Sequence, residues 1–168
     1  QVSKIQAIVL DKTGTLTFGK PKITDIATAD GYDTNEALRL VGAAEAKSSH
    51  PLAGAILDEI KKRDLTLPEL VDKFENLSGL GVRAIVDGKL VLIGTVKLMK
   101  DSDITLGTLE EKINEFLERG ETIMILAVDG AIKAVIGAAD PIKPTAIKAV
   151  LRLKALGIEI AMITGDNK

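Results

Sequence analysis

The run Asp11-Lys12-Thr13-Gly14-Thr15-Leu16-Thr17 gathers a carboxylate, an ammonium, three hydroxyls and a glycine within one short segment. An aspartate carboxylate can attack the γ-phosphorus of ATP and hold the transferred group as an acyl phosphate. The hydroxyls of Thr13 and Thr15 and the unhindered backbone N–H groups around Gly14 suit phosphoryl oxygens, and Lys12 adds positive charge. Mg²⁺ takes hard oxygen ligands, so the Asp11 carboxylate and a backbone carbonyl of the loop, at Thr13, are its natural partners. The bland alternative is a plain turn that Asp11 caps and Gly14 bends. A second polar triplet, Thr164-Gly165-Asp166, stands near the other end of the chain.

Both triplet and run follow apolar segments. Ile5–Leu10 and Ile158–Ile163 are nearly continuous apolar runs, the pattern of strands buried on both faces. Between Pro144 and Leu156 apolar residues recur at Ile147, Val150 and Leu151, a helical spacing, with Gly157 placed to end the helix. Helix followed by buried strand is the grammar of a parallel α/β sheet, and ligands of such sheets sit beyond the carboxyl ends of the strands. Asp11 and Thr164 occupy such positions.

The middle reads differently. Thr34 can cap a helix running to about Lys47, and His50-Pro51 opens a second, with Leu52, Ile56 and Ile60 on one face. Val82–Val86 and Leu90–Ile93 flank Asp87-Gly88, while Ile123–Val128 and Ala131–Ile136 flank Asp129-Gly130, two hairpin signals. A helix from Thr108 to Arg119 lies between them, with Thr108 and Glu111 at capping-box spacing and Gly120 as its stop. This pattern predicts an antiparallel α+β domain, residues 21–138, inserted into a split parallel α/β domain formed by residues 1–20 and 139–168.

Twenty-two Lys and Arg against 24 Asp and Glu leave a net charge of −2, without the broad basic field that nucleic-acid binding needs. The absence of cysteine excludes disulfides and thiolate metal sites. No apolar stretch approaches the roughly 18 residues of a membrane span. The chain begins without Met and ends just past a strand-like run, which reads as an excised fragment.

The Asp11–Thr17 run resembles the phosphorylation signature of the P-type ATPases, and further motifs resemble their heavy-metal-transporting subgroup in order. Ser49-His50-Pro51-Leu52 is similar to its Ser-Glu-His-Pro-Leu motif, with Ser49 in place of Glu. Glu45 matches a second acidic position of the same nucleotide site. Gly79-Leu80-Gly81 resembles its Gly-x-Gly loop, and Ile93-Gly94-Thr95 its Val/Ile-Gly-Asn element, with Thr95 in place of Asn. Asp140-Pro141-Ile142-Lys143-Pro144 resembles the run where the chain returns to the phosphorylation domain, and Thr164-Gly165-Asp166 the Thr-Gly-Asp motif of that domain. Outside the family pattern each has a plainer reading: His50 as a helix cap, Gly79 and Gly81 as turn formers, Glu45 as a solvated helix residue.

The resemblance implies a haloacid dehalogenase-like, Rossmann-type parallel sheet with an inserted nucleotide-binding domain. It implies that Glu45, His50, Gly79, Gly81 and Gly94 hold ATP, in an aliphatic and glycine-lined pocket, since aromatics are only 2% of the chain. Asp11, assisted by Lys12, Thr13, Thr15, Thr164, Gly165 and Asp166, would then take the γ-phosphoryl group with Mg²⁺. It further implies membrane helices carrying a heavy-metal ion, copper as the subgroup's commonest cargo, and an actuator domain, with this region on the cytoplasmic side. The nearest rival is a phosphatase of the same superfamily. Such enzymes usually carry a second Asp two residues after the nucleophile, where this chain has Thr13, so activation of water is harder. A nucleotide-binding module without catalysis of its own is the other rival. The family's Gly-Asp-Gly-x-Asn-Asp motif does not occur in these residues, so this piece alone is expected to bind ATP weakly and turn over little.

Overall fold

The computed structural model describes residues 5–46 and 52–163. Within these the chain forms eight β-strands and five α-helices, and it divides into two compact units, Lys22–Ala139 and the described parts of Gln1–Pro21 with Asp140–Lys168. No helix among the described residues is long and apolar enough to cross a membrane.

The split unit contains β1 (Ala7–Asp11), α5 (Pro144–Ala155) and β8 (Glu159–Ile163). β1 and β8 pair in parallel, from Ala7 opposite Glu159 to Asp11 opposite Ile163. The helix opens on Pro144, whose fixed φ and missing N–H suit the first helical position. The expectation that both strands are buried on two faces is overturned. Val9 is 58% exposed, Met162 56% and Ile163 63%. Two-sided burial needs a layer on each side of the sheet. Among the described residues this unit has only two strands and one helix, and that helix buries only Ala146.

The other unit is a six-stranded antiparallel sheet in the order β2-β7-β6-β5-β4-β3. Its strands are β2 (Lys22–Thr28), β3 (Val71–Leu77), β4 (Gly81–Val86), β5 (Lys89–Gly94), β6 (Thr122–Val128) and β7 (Ala131–Ala139). The hairpins form at Asp87-Gly88 and Asp129-Gly130, and all four residues have positive φ. That is the type I′ geometry whose twist matches the strands it joins. Asp129 also ties the two hairpins together, its carboxylate accepting from the Leu90 N–H at 2.9 Å.

Alternation along the strands sends side chains to two cores. Val82, Val91, Ile93, Met124, Leu126 and Ile136 face α1 (Thr34–Glu45) and α2 (Ala53–Lys62). Leu92, Ile125, Ala127 and Val135 face α3 (Val96–Asp101) and α4 (Glu110–Glu118). The sheet is thus the middle of three layers. The expected helix start at His50-Pro51 lies outside the described residues, and two other helix starts differ from the sequence expectation. Asp33, not Thr34, caps α1, its carboxylate accepting from the Glu36 N–H at 2.8 Å; a carboxylate at this place also meets the positive helix end. The Thr108–Glu111 capping box does not form, because a 3₁₀ turn over Gly107–Leu109 precedes α4, which starts without a side-chain cap.

Phe116 is fully buried on α4 with its ring over Gly137 of β7. Phe116→Ala should therefore lower stability by about 3–5 kcal/mol, measured as a shift of the urea midpoint at unchanged slope.

Candidate functional site

Two clusters of candidate residues form, one within each unit. In the split unit Asp11 is the last residue of β1 and pairs with Ile163, the last residue of β8. Because the strands are parallel, the segment after each leaves from the same end of the pair. Thr164, Gly165 and Asp166 follow Ile163 directly but lie outside the described residues. Asp11, Thr13 and Thr15 are exposed and Lys12 is half-buried.

Thr17 organises the turn that follows Asp11. It is only 2% exposed. Its backbone N–H donates to the Lys12 carbonyl at 3.1 Å, and its hydroxyl oxygen accepts from the Gly14 N–H at 3.1 Å. The hydroxyl has one proton. The Asp140 carboxylate stands 2.6 Å away and the Lys12 carbonyl 3.1 Å away; the shorter, charge-assisted contact takes the proton. Asp140 also accepts from the N–H groups of Gly19 at 2.9 Å and Lys20 at 3.2 Å. Lys143 completes the arrangement, its ammonium donating to the carbonyls of Gly14 at 2.6 Å and Thr15 at 3.2 Å. None of Thr17, Asp140 and Lys143 is among the site residues the sequence suggests. The available signal was an acid and a base, each directly followed by proline, where the chain returns to this unit.

Burial pushes the Asp140 carboxyl up, but hydrogen bonds from the Thr17 hydroxyl and from the N–H groups of Lys20, Gly19 and Phe18 outweigh it. The group is held below its ordinary value of 3.8.

In the other unit a cavity of about 510 Å³ brings together Glu45, Gly79, Gly81 and Gly94. His50, the remaining residue of that predicted set, lies outside the described residues. Glu45 ends α1 and is 2% exposed. The apolar wall comes from Leu77, Leu80, Val82, Ile93, Ile123 and Met124, and no aromatic side chain is found in the described lining. The glycines serve two purposes. A Cβ on Gly79 would project into open space, so its bareness leaves the backbone approachable. Gly81 and Gly94 are cross-strand partners, and a Cβ on either would run into backbone: the Ile93 carbonyl from Gly81, the Leu80 carbonyl from Gly94. They are bare so that two strand ends can meet, a reason the sequence reading did not supply.

Thr95 has a structural task of its own. Its hydroxyl caps α3 by accepting from the Leu98 N–H at 3.2 Å, and its N–H donates to the Leu80 carbonyl at 2.9 Å, holding the Gly79–Leu80 turn. Asn76 and Ser78 add polar side chains to the lining, and no sequence signal pointed to them.

For a metal ion, no group of three His, Cys, Asp or Glu side chains comes together among the described residues. The Asp11 carboxylate and the loop carbonyls are nevertheless hard oxygen donors, which fits Mg²⁺.

The depressed Asp140 carboxyl stabilises the split unit above its unfolded value near 3.8. That contribution is lost as the pH falls through the lower folded value. Asp140→Asn should thus lower stability at pH 6 and flatten the acid limb below about pH 4, in urea titrations run from pH 2 to 6.

A family model described as haloacid dehalogenase-like hydrolase matches residues 5–168. The copper-exporting P-type ATPase of Bacillus subtilis is 41% identical over 98% of this chain and 20% of its own length. That of Legionella pneumophila is 43% identical over 100% of this chain and 23% of its own. The crystal structure of a zinc-transporting PIB-type ATPase in the E2·Pi state superposes with a TM-score of 0.83 at 33% identity, over 98% of this chain and 26% of that one. The chain thus spans about a fifth of the curated relatives it matches. It belongs to the haloacid dehalogenase-like hydrolase family, and over nearly its whole length it is similar to copper-exporting P-type ATPases.

Proposed function

We propose that this chain is the ATP-binding and phosphorylation region of a heavy-metal-transporting P-type ATPase, with copper as the cargo. The observation that carries this reading is Asp11, exposed at the end of a parallel strand pair and followed by a turn that Thr17, Asp140 and Lys143 hold in shape. The identity to copper exporters, higher than that to the zinc-transporting structure, favours copper. The split unit is then the phosphorylation domain and Lys22–Ala139 the nucleotide-binding domain.

In the reaction, a carboxylate oxygen of Asp11 forms a bond to the γ-phosphorus while the bond from that phosphorus to the β,γ-bridging oxygen breaks, and ADP leaves with the electron pair. Water later cleaves the acyl phosphate and restores the carboxylate. Catalysis of this kind is mostly positioning and charge stabilisation. Lys12 and the N–H and hydroxyl groups of Thr13 and Thr15 face the phosphoryl oxygens, with Thr164, Gly165 and Asp166 contributing from the end of β8. Asp11 and the Thr13 carbonyl would hold Mg²⁺, which when bound shields the negative charge of the phosphates. In the cavity the Glu45 carboxylate accepts hydrogen bonds from the nucleotide, Gly79, Gly81 and Gly94 admit it close to backbone, and His50 completes the site. Thr13 in the place of a second carboxylate favours a long-lived acyl phosphate over rapid hydrolysis. The parent protein supplies membrane helices and an actuator domain, and further chain covers the apolar faces of β1 and β8, with this region on the cytoplasmic side.

Asp11→Asn in the full-length protein should abolish the acid-stable phosphoenzyme formed from ATP while leaving nucleotide affinity unchanged. An undiminished phosphoenzyme would refute the assignment of Asp11. Glu45→Gln and His50→Ala should each weaken a non-hydrolysable ATP analogue roughly tenfold, the scale of one hydrogen bond to a charged group, in calorimetric titration. Unchanged affinity would remove that residue from the site.

A further inference from the structure

Lys143 lies in the run that returns the chain to this unit, and its ammonium meets two consecutive carbonyls of the turn after Asp11, Gly14 at 2.6 Å and Thr15 at 3.2 Å. Its own backbone N–H donates to the next carbonyl, that of Leu16, at 2.8 Å. Three successive carbonyls of the turn therefore point at one residue of the returning segment.

Peptide planarity gives this a consequence. In a trans peptide the C=O of one residue and the N–H of the next point in opposite directions. With the Gly14 and Thr15 carbonyls directed at Lys143, the N–H groups of Thr15 and Leu16 are directed away from it. A carbonyl oxygen turned toward a phosphoryl group would repel it, whereas an N–H attracts it.

Two prolines prepare the anchor. Asp140 precedes Pro141 and Lys143 precedes Pro144, and a residue before proline is confined to extended backbone; Lys143 has φ −65° and ψ 131°. Asp140 holds the far end of the turn through Thr17, Gly19 and Lys20. The returning segment thus grips the turn at both its middle and its end.

We infer that Lys143 is a positioning residue for phosphoryl transfer to Asp11, its ammonium turning the Gly14 and Thr15 carbonyls away from the phosphoryl site so that the turn presents N–H groups to it. The inference rests on the reading of Asp11 as the phosphoryl acceptor. The test is phosphoenzyme formation from ATP in the full-length protein, by acid quench at saturating ATP, with Asp11→Asn as control. Lys143→Ala and Lys143→Met should slow phosphorylation about tenfold or more, the scale of a small misplacement of reacting groups. Affinity for a non-hydrolysable ATP analogue should stay within about twofold, and Lys143→Arg, which keeps a cationic donor, should recover most of the rate. Lys143→Met keeps the aliphatic stem, so its rate decides the matter if the alanine variant does not fold. Wild-type rates in Lys143→Met would overturn the inference, as would a defect confined to ATP affinity or an arginine variant as slow as the methionine one. Absence of any Asp11-dependent phosphoenzyme in the wild type would instead defeat the reading of Asp11.

Discussion

The hydrogen bond from the Thr17 hydroxyl to the Asp140 carboxylate joins residues 123 positions apart in sequence, and the order of the turn after Asp11 depends on it. Closing a loop of that length from a disordered chain carries an entropic cost that rises with its length. The inserted unit removes most of that cost. Its first and last strands are neighbours in the sheet, with Lys22 opposite Ala139, so once it folds its two ends are already side by side. Thr17 and Asp140 then lie only a few residues from that pair. A contact that is long-range in sequence becomes a local one in effect.

The two clusters rest on different forces. The cavity is framed by backbone packed on backbone at Gly81 and Gly94, above cores whose side chains are almost wholly buried. Such packing yields little to pH or salt and resists deformation. The turn after Asp11 is held instead by hydrogen bonds to a carboxylate and an ammonium that are only partly buried. Each such bond contributes on the order of 1–3 kcal/mol, and several act on one short segment. Geometry there comes from the number and direction of polar contacts rather than from a core.

Legibility in the sequence followed the range of the forces involved. The hairpins were plain because Asp-Gly at both turns requires only local conformation. Motif resemblance singles out Glu45, Gly79, Gly81 and Gly94, which line one cavity, but the mutual fit of Gly81 and Gly94 depends on a strand pairing that no local pattern shows. β3 escaped because its half-buried residues, Val71, Phe74 and Leu77, recur every third position. The register shifts between Asp72 and Glu75, where Lys73 has φ 46°, and such a bulge breaks the period of two by which strands are recognised. β2, with Lys22, Thr24 and Asp25 among its residues, is an edge strand whose polar positions hid it. The six-residue α3 is too short for helical periodicity to register. In the other direction, the apolar runs of β1 and β8 suggested burial that this unit does not provide, because burial depends on what packs against a strand and not on the strand itself.

The turn after Asp11 is held directly by the returning segment, at its middle through Lys143 and at its end through Asp140. Two prolines limit the backbone of that segment, so less conformational entropy is lost when Asp140 and Lys143 engage. On the proposed reading the turn needs its dipoles aimed before the substrate arrives, and the residues that orient its Gly14 and Thr15 carbonyls reach it from the far end of the sequence.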